Sequence, residues 1–393
     1  MTAERLQFDV AIVGGGVIGC STAHFLKRMA PAASVAVIEP DPTYEFASTP
    51  RASGGCRVQF TRPENIAMSK FGIDFIRSFG SSMTVEGDAS PDVGWTEGGY
   101  LFIVPPGSVE SLASNVALQR GMGCNVELLT PAELKLKWPS MNVKDLGAGA
   151  HSPNDGWCDP NSLLWGFRRK AAAQGAVFVK ARVQSMGFDS TAVRSLRLDT
   201  GVSVGAAHFV NAAGAWSGEV AAMAGMKLPV SPMKRYEHYF TPGSPMESLP
   251  YVKDLDRMAF RSAGQGFSGG VVDGAAARGY DFEVDHGYFE RVVWPAAAHR
   301  FPALEAAKCH RTWSGLYEEC ELDGNPIIGR WNGGCANLYT VAGFSGHGMM
   351  HAPAAGRAIA ELMTIGRFQT IDLAKFGYER VENNEPCPEV GIR

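Results

Sequence analysis

The sequence has no excess of positive charge. Its 36 Lys and Arg against 40 Asp and Glu leave a net charge of −4 over 393 residues, so nucleic acid and anionic membrane surfaces are poor partners. No apolar run is long enough to span a bilayer; the run at 8–20 is too short. The N-terminus Met-Thr-Ala-Glu-Arg-Leu-Gln has no basic segment leading into an apolar core, so no signal peptide is read there. The eight cysteines, at 20, 56, 124, 158, 309, 320, 335 and 387, show neither C-x-x-C nor zinc spacing, so no metal site is expected. They read as reduced thiols in a cytoplasmic protein. There is no repeat of 20–50 residues and no low-complexity tract. What the chain does have is 45% hydrophobic residues and 46 glycines with only 19% charged residues. That suits two domains with a large core and many tight turns.

The organising stretch lies at residues 8–29. Phe8–Val13 is a short β-branched run that predicts a buried parallel strand. Gly14, Gly16 and Gly19 follow at G-x-G-x-x-G spacing, and Val17–Met29 predicts a helix. The first glycine permits a tight turn, the second lets a pyrophosphate approach, and the third lets helix pack on strand. Free N–H groups at the helix start, Val17 and Ile18, favour phosphate charge. Ser34–Ile38 predicts a second strand, and Glu39 falls twenty residues past Gly19, where a carboxylate would accept from a ribose. A structural glycine turn in an unrelated α/β protein is the competing reading.

Further along, Thr61-Arg-Pro-Glu64 reads as a capping box opening a helix to Phe79. Thr130-Pro-Ala-Glu133 is a clearer one, before a short helix. A helix is expected over Asn161–Gln174, closed by Gly175. His208–Ser217 reads as strand, turn and helix start. Residues 229–310 read mostly as strands, at Met233–Thr241, Met258–Phe260 and Gly266–Asp273, with Phe289–Phe301 helical despite Pro295. Arg311–Tyr317 and Asn337–Ala342 read as strands, Gly343–Gly348 as a loop, and about Met349–Thr364 as a helix.

Three motifs in this order, the opening glycines with Glu39, Val210-Asn-Ala-Ala-Gly-Ala-Trp216 and Gly343-Phe-Ser-Gly-His-Gly348, resemble the D-amino-acid-oxidase-like flavoproteins that oxidise sarcosine, glycine and dimethylglycine. Gly366–Asp372 resembles the branch linked to respiratory complex I assembly. The resemblance implies a glutathione-reductase-like Rossmann FAD-binding domain (α/β), interleaved with an antiparallel-sheet substrate domain (α+β). The cofactor segments would be 1–90, 145–228 and 311–393, and the substrate segments 91–144 and 229–310. It implies FAD contacts at Gly14, Gly16, Val17, Ile18, Gly19, Glu39, Ser48, Arg51, Ala52, Ser53, Ala213, Gly214, Trp216, Gly315, Gly346, His347, Gly348 and Met349. A helix N-terminus behind the last loop would favour the negative charge of a reduced flavin. The implied reaction oxidises a C–N bond of a secondary amine or amino acid by hydride transfer to flavin N5, after which the imine hydrolyses. The electron acceptor would be O2, a quinone or an electron-transfer protein, and the assembly a monomer or small homo-oligomer.

Departures from the family pattern carry information. No cysteine stands at Trp313-Ser-Gly-Leu316 and no histidine at Ser48-Thr-Pro-Arg51, the two attachment points of covalent relatives, so non-covalent FAD is expected. Met349-Met350 stand where sarcosine oxidases hold a carboxylate with lysine, and Ser268 matches the oxygen-activating lysine to within a residue or two. A dehydrogenase or slow oxidase is therefore expected. Substrate-site candidates are Arg57, Arg261, Tyr236, His238, Tyr239, His347 and Met350. Strand alternation puts Tyr236 and His238 on one face and Tyr239 on the other, although a core role is the commoner fate of such residues. Arg57 reads equally well as a diphosphate or surface arginine. Two other readings stand beside this one: a flavin-binding assembly factor with vestigial activity, and an NAD-dependent dehydrogenase. The latter lacks a second complete G-x-G-x-x-G.

Overall fold

The computed structural model describes residues 4–189, 191–254, 258–271 and 278–391. Five parallel strands form the centre of the first sheet, in the order Leu338–Ala342, Ser203–Asn211, Arg5–Val13, Val35–Glu39 and Val177–Lys180. Ile327–Arg330 adds an antiparallel edge, and Val183–Phe188 with Val193–Leu198 forms a hairpin beside Ser203–Asn211. Parallel strands need both faces covered, and the near-continuous burial of Val10–Val13 and Val35–Ile38 follows. The helix Val17–Met29 ends where its periodicity predicts. It packs between Pro160–Ala173 and Gly348–Thr364. Its Ser21 hydroxyl donates to Ala352 O at 2.7 Å, and a Cβ on Gly356 would lie 2.4 Å from Ser21 Oγ. The two helices whose starts face the cofactor cradle are thereby locked together.

The second sheet has the strand order Lys308–Cys320, Val230–Thr241, Gly266–Gly270, Met258–Ala263, Tyr251–Asp254, Tyr100–Val104, Ala148–Ser152 and Glu127–Leu129. It is antiparallel except for the pairing of Tyr251–Asp254 with Tyr100–Val104. Two stretches lie in this sheet although the sequence grouped them with the cofactor segments: Ala148–Ser152, from 145–228, and residues 311–320 of the strand Lys308–Cys320, from 311–393. The long strand Lys308–Cys320 pairs along the whole of Val230–Thr241, which the local apolar pattern of 311–317 does not reveal.

Local signals fared unevenly. The Thr130–Glu133 capping box forms in full, and Asp159 caps the helix Pro160–Ala173. The Thr61–Glu64 box does not form: Thr61 Oγ1 and N–H both donate to Glu389, from the C-terminal tail, and the helix runs Pro63–Arg77 with a separate turn at Phe79–Met83. Phe289–Phe301 splits into a π turn, Phe289–Val293, and a helix, Trp294–Arg300, with Pro295 in its first turn. The expected strand Gly266–Asp273 is observed over Gly266–Gly270; its last two residues lie outside the described residues.

Candidate active site

A cavity of about 900 Å³ runs between the two sheets. At one end lies the first glycine turn. Gly14 has φ +102°, and a Cβ there would fall 2.3 Å from Ala212 O. A Cβ on Gly19 would fall 1.9 Å from Gly14 O, so this glycine serves helix packing and, unlike Gly14 and Gly16, does not line the cavity. Above Gly16 there is nothing within 4 Å of a built Cβ, and the same holds above Gly214. These two open patches of backbone, beside the start of the helix Val17–Met29, form a cradle that fits a dinucleotide. Glu39 closes it: Oε2 accepts from Gly15 N–H at 2.8 Å and Oε1 from Asp41 N–H at 2.9 Å. Burial pushes its carboxyl up despite these bonds. Each oxygen keeps a lone pair for a ribose hydroxyl.

The loop 48–53 is clamped against the strand Lys308–Cys320. Ser48 Oγ donates to Leu316 O at 2.6 Å, Arg51 Nη1 to Ser314 O at 2.5 Å, and Trp313 Nε1 to Arg51 O at 3.0 Å. The Arg51 guanidinium also lies 5.4 Å from the centres of both the Phe46 and Phe282 rings. Arg51 lines the cavity, yet its polar contacts hold the loop. Ser48, Ala52, Ser53, Ala213, Trp216 and Gly315 line it too, as do Val17 and Ile18.

The far end is formed by Gly346, His347, Gly348 and Met349 at the start of the helix Gly348–Thr364. Gly346 has φ +97°, and a Cβ there would lie 2.5 Å from the Tyr317 ring. Glu318 accepts from Gly343 N–H at 3.1 Å, and burial pushes its carboxyl up to about 7. His347 Nε2 lies 3.1 Å from Arg57 Nη2. Arg57 is 3% exposed, its guanidinium 3.9 Å above the Phe60 ring. Beside it Asp155 accepts from Val58 N–H at 2.9 Å, and burial raises its carboxyl to about 7.

The candidates separate clearly. Arg57, Tyr236, His347 and Met350 line the cavity; Arg261, His238 and Tyr239 do not. Arg261 instead braces the wall, donating through Nε to Ser53 O at 2.5 Å. His238 is fully buried behind the sheet, bonded to Thr312 Oγ1 at 2.9 Å and stacked on Tyr288 at 6.0 Å. Tyr239 packs by His310. Alternation along the strand puts Arg235 and Glu237 on the face opposite Tyr236 and His238, and both line the cavity, with Tyr100, Phe102, Tyr251, Lys253 and Tyr317 on neighbouring strands. The opposite charges of Arg235 and Glu237 at i and i+2 were the signal available for the first two. Arg57, Arg235 and Lys253 line the chamber, as do Met349 and Met350, whereas Ser268 does not. Among the described residues no group of His, Cys, Asp and Glu could hold a metal ion, and no helix is long and apolar enough to cross a membrane.

The "FAD dependent oxidoreductase" (DAO) family model matches residues 9–362. FAD-dependent oxidoreductase domain-containing protein 1 of Xenopus laevis is 36% identical, across 98% of this chain and 84% of that protein. Mitochondrial sarcosine dehydrogenase of Mus musculus is 26% identical, across 91% of this chain and 40% of its own length. Among solved structures, L-proline dehydrogenase from P. horikoshii superposes with a TM-score of 0.86 at 27% identity, covering 98% of this chain and all of that one. Glycine oxidase from Geobacillus kaustophilus gives 0.79 at 25% identity, covering 95% and 98%. The nicotinamide alternative is thereby replaced: FAD is the cofactor, and the chain belongs to the DAO family of FAD-dependent oxidoreductases.

Proposed function

We propose that this enzyme oxidises the C–N bond of a small secondary amine or amino acid, giving an imine that water hydrolyses. One observation carries the reading: the glycine cradle opens directly into a chamber that holds cations and a carboxylate on one wall. Bound FAD supplies the two-electron oxidising capacity, held by Gly14, Gly16, Val17, Ile18, Glu39, Ala213, Gly214 and the 346–349 turn. The chain's own task is binding, orientation and exclusion of water. Arg57, Arg235 and Lys253 offer charge to a substrate carboxylate. Tyr100, Phe102, Tyr251 and Tyr317 supply the apolar walls that strengthen such contacts; Tyr100 and Tyr251 stack at 4.5 Å. The names of the similar proteins, sarcosine dehydrogenase, L-proline dehydrogenase and glycine oxidase, point to the same substrate class.

We hold the flavin to be non-covalent, because among the described residues no cysteine lines the cavity and the histidine that does, His347, is engaged by Arg57. The test of function is anaerobic mixing of the holoenzyme with N-methylglycine, glycine, D-amino acids and L- and D-proline. Loss of flavin absorbance with a member of this panel supports the reading, and an unchanged spectrum with all of them opposes it. Reoxidation by air in a stopped-flow instrument then distinguishes O2 from a quinone or protein acceptor.

A further inference from the structure

The chamber wall carries an acid whose role amine oxidation alone does not assign. On the strand Val230–Thr241 the residues Met233, Arg235 and Glu237 all line the cavity. Ser268, on the adjacent strand, donates to Glu237 Oε1 at 2.6 Å. Burial pushes the Glu237 carboxyl up to about 7, against the opposing pull of Ser268 and of the Arg261 charge. Arg261 is itself committed to Ser53 O and Ser262 O. Among the described residues Arg235, Lys253, Tyr251 and Tyr317 line the same cavity, and the Glu237 charge opposes ionisation of the two phenols. A carboxylate in such a place is expensive without a cation placed directly on it. The ammonium group of a substrate is a cation that binding would bring.

We infer that Glu237 is the substrate's amine contact and proton acceptor, so that the chamber selects small substrates that enter as ammonium ions. This rests on the amine-oxidation reading. In the step, an N–H bond of the ammonium breaks and its proton goes to a Glu237 carboxylate oxygen, leaving a neutral amine with a lone pair. The adjacent C–H bond then breaks as the C=N bond forms, and its two electrons reduce FAD. Water adds to the C=N carbon, giving a carbonyl compound and a free amine. A base that removes the amine proton contributes roughly 100- to 10,000-fold.

The test compares two compounds that differ only in the amine: 2-aminoisobutyrate, which has no α-hydrogen to lose, and isobutyrate. Binding is read from the shift of the flavin visible spectrum in oxidised holoenzyme at pH 8. Glu237→Gln should weaken 2-aminoisobutyrate tenfold or more and leave isobutyrate unchanged. An infrared band of a protonated carboxylic acid should grow when 2-aminoisobutyrate binds to the wild type and be missing in the variant. Should Glu237→Gln fail to retain flavin, Ser268→Ala carries the same readout: loss of the hydroxyl weakens 2-aminoisobutyrate at pH 7, and pH 9 restores it. Equal effects on both compounds, or none on either, overturn the Glu237 assignment while amine oxidation stands. If neither compound binds the wild type and no amine in the panel bleaches it, the functional reading falls and this inference with it.

Discussion

Arg57 Nη2 lies 3.1 Å from His347 Nε2, joining the loop after the Gly54-Gly55 turn to the residue that caps the helix Gly348–Thr364. A guanidinium only donates, so His347 Nε2 must accept, and the imidazole is the neutral tautomer with its proton on Nδ1. Arg57 also donates to Gln59 O and stacks on Phe60. Hydrogen bonds to a charged group contribute about 1.5–3 kcal/mol, which is roughly a 10- to 100-fold change in an equilibrium constant. Arg57→Ala should therefore raise the Kd for FAD tenfold or more, and Arg57→Lys should not restore it, because an ammonium lacks the fork that reaches both partners. Flavin fluorescence titration of the apoprotein measures this. An unchanged Kd in Arg57→Ala would show that the pair does not hold the cofactor turn.

Gly16 and Gly19 should fail differently when each is changed to alanine. A methyl group on Gly19 would overlap Gly14 O, at 1.9 Å, whereas on Gly16 it meets no protein atom within 4 Å. Gly19→Ala should cost roughly 1–3 kcal/mol of stability through overpacking. Gly16→Ala should leave the apoprotein's thermal unfolding unchanged and lose FAD. Similar melting temperatures for the two apoproteins would contradict the assignment of packing to one glycine and cofactor approach to the other.

Asp155 makes stability depend on pH. Its carboxyl titrates near 7 in the fold against 3.8 in the open chain, so between those values the folded state binds more protons than the unfolded state. Stability contributed by this group is complete below about pH 4 and is lost as pH rises toward 7. At about 1.4 kcal/mol per pKa unit the effect is bounded at about 4 kcal/mol. Asp155→Asn should flatten the fall in denaturation midpoint from pH 5 to 8. A variant whose midpoint falls as steeply as the wild type's would assign that fall to other groups.

Acid precipitation should release the flavin into the supernatant, since among the described residues no cysteine lines the cavity. Yellow colour retained in the washed protein pellet would contradict non-covalent binding.

Much of the cofactor half was legible because its signals are local. The helix Val17–Met29 and the strand before it are written in one periodic run, and their residues meet through neighbours in sequence. The substrate wall was harder. Tyr100 and Tyr251 stack across 150 residues, and Arg57 meets His347 across 290. No short-range pattern encodes those pairings. Alternation along Val230–Thr241 correctly separated two faces, but both are buried: Phe240 faces Phe260 and Phe289 in the core, while Glu237 faces the cavity. With polar residues on both faces, periodicity cannot tell cavity from core. The Thr61 cap failed for a similar reason, since its partner Glu389 arrives from the far end of the chain.

The central claim is that electrons leave a C–N bond in this chamber. Anaerobic titration of the holoenzyme with the amine that bleaches it fastest, with the carbonyl product quantified at each addition, tests that directly. One carbonyl compound formed per flavin reduced is the predicted result. Reduction without carbonyl formation, or full bleaching by dithionite with none by any amine or amino acid offered, would contradict it.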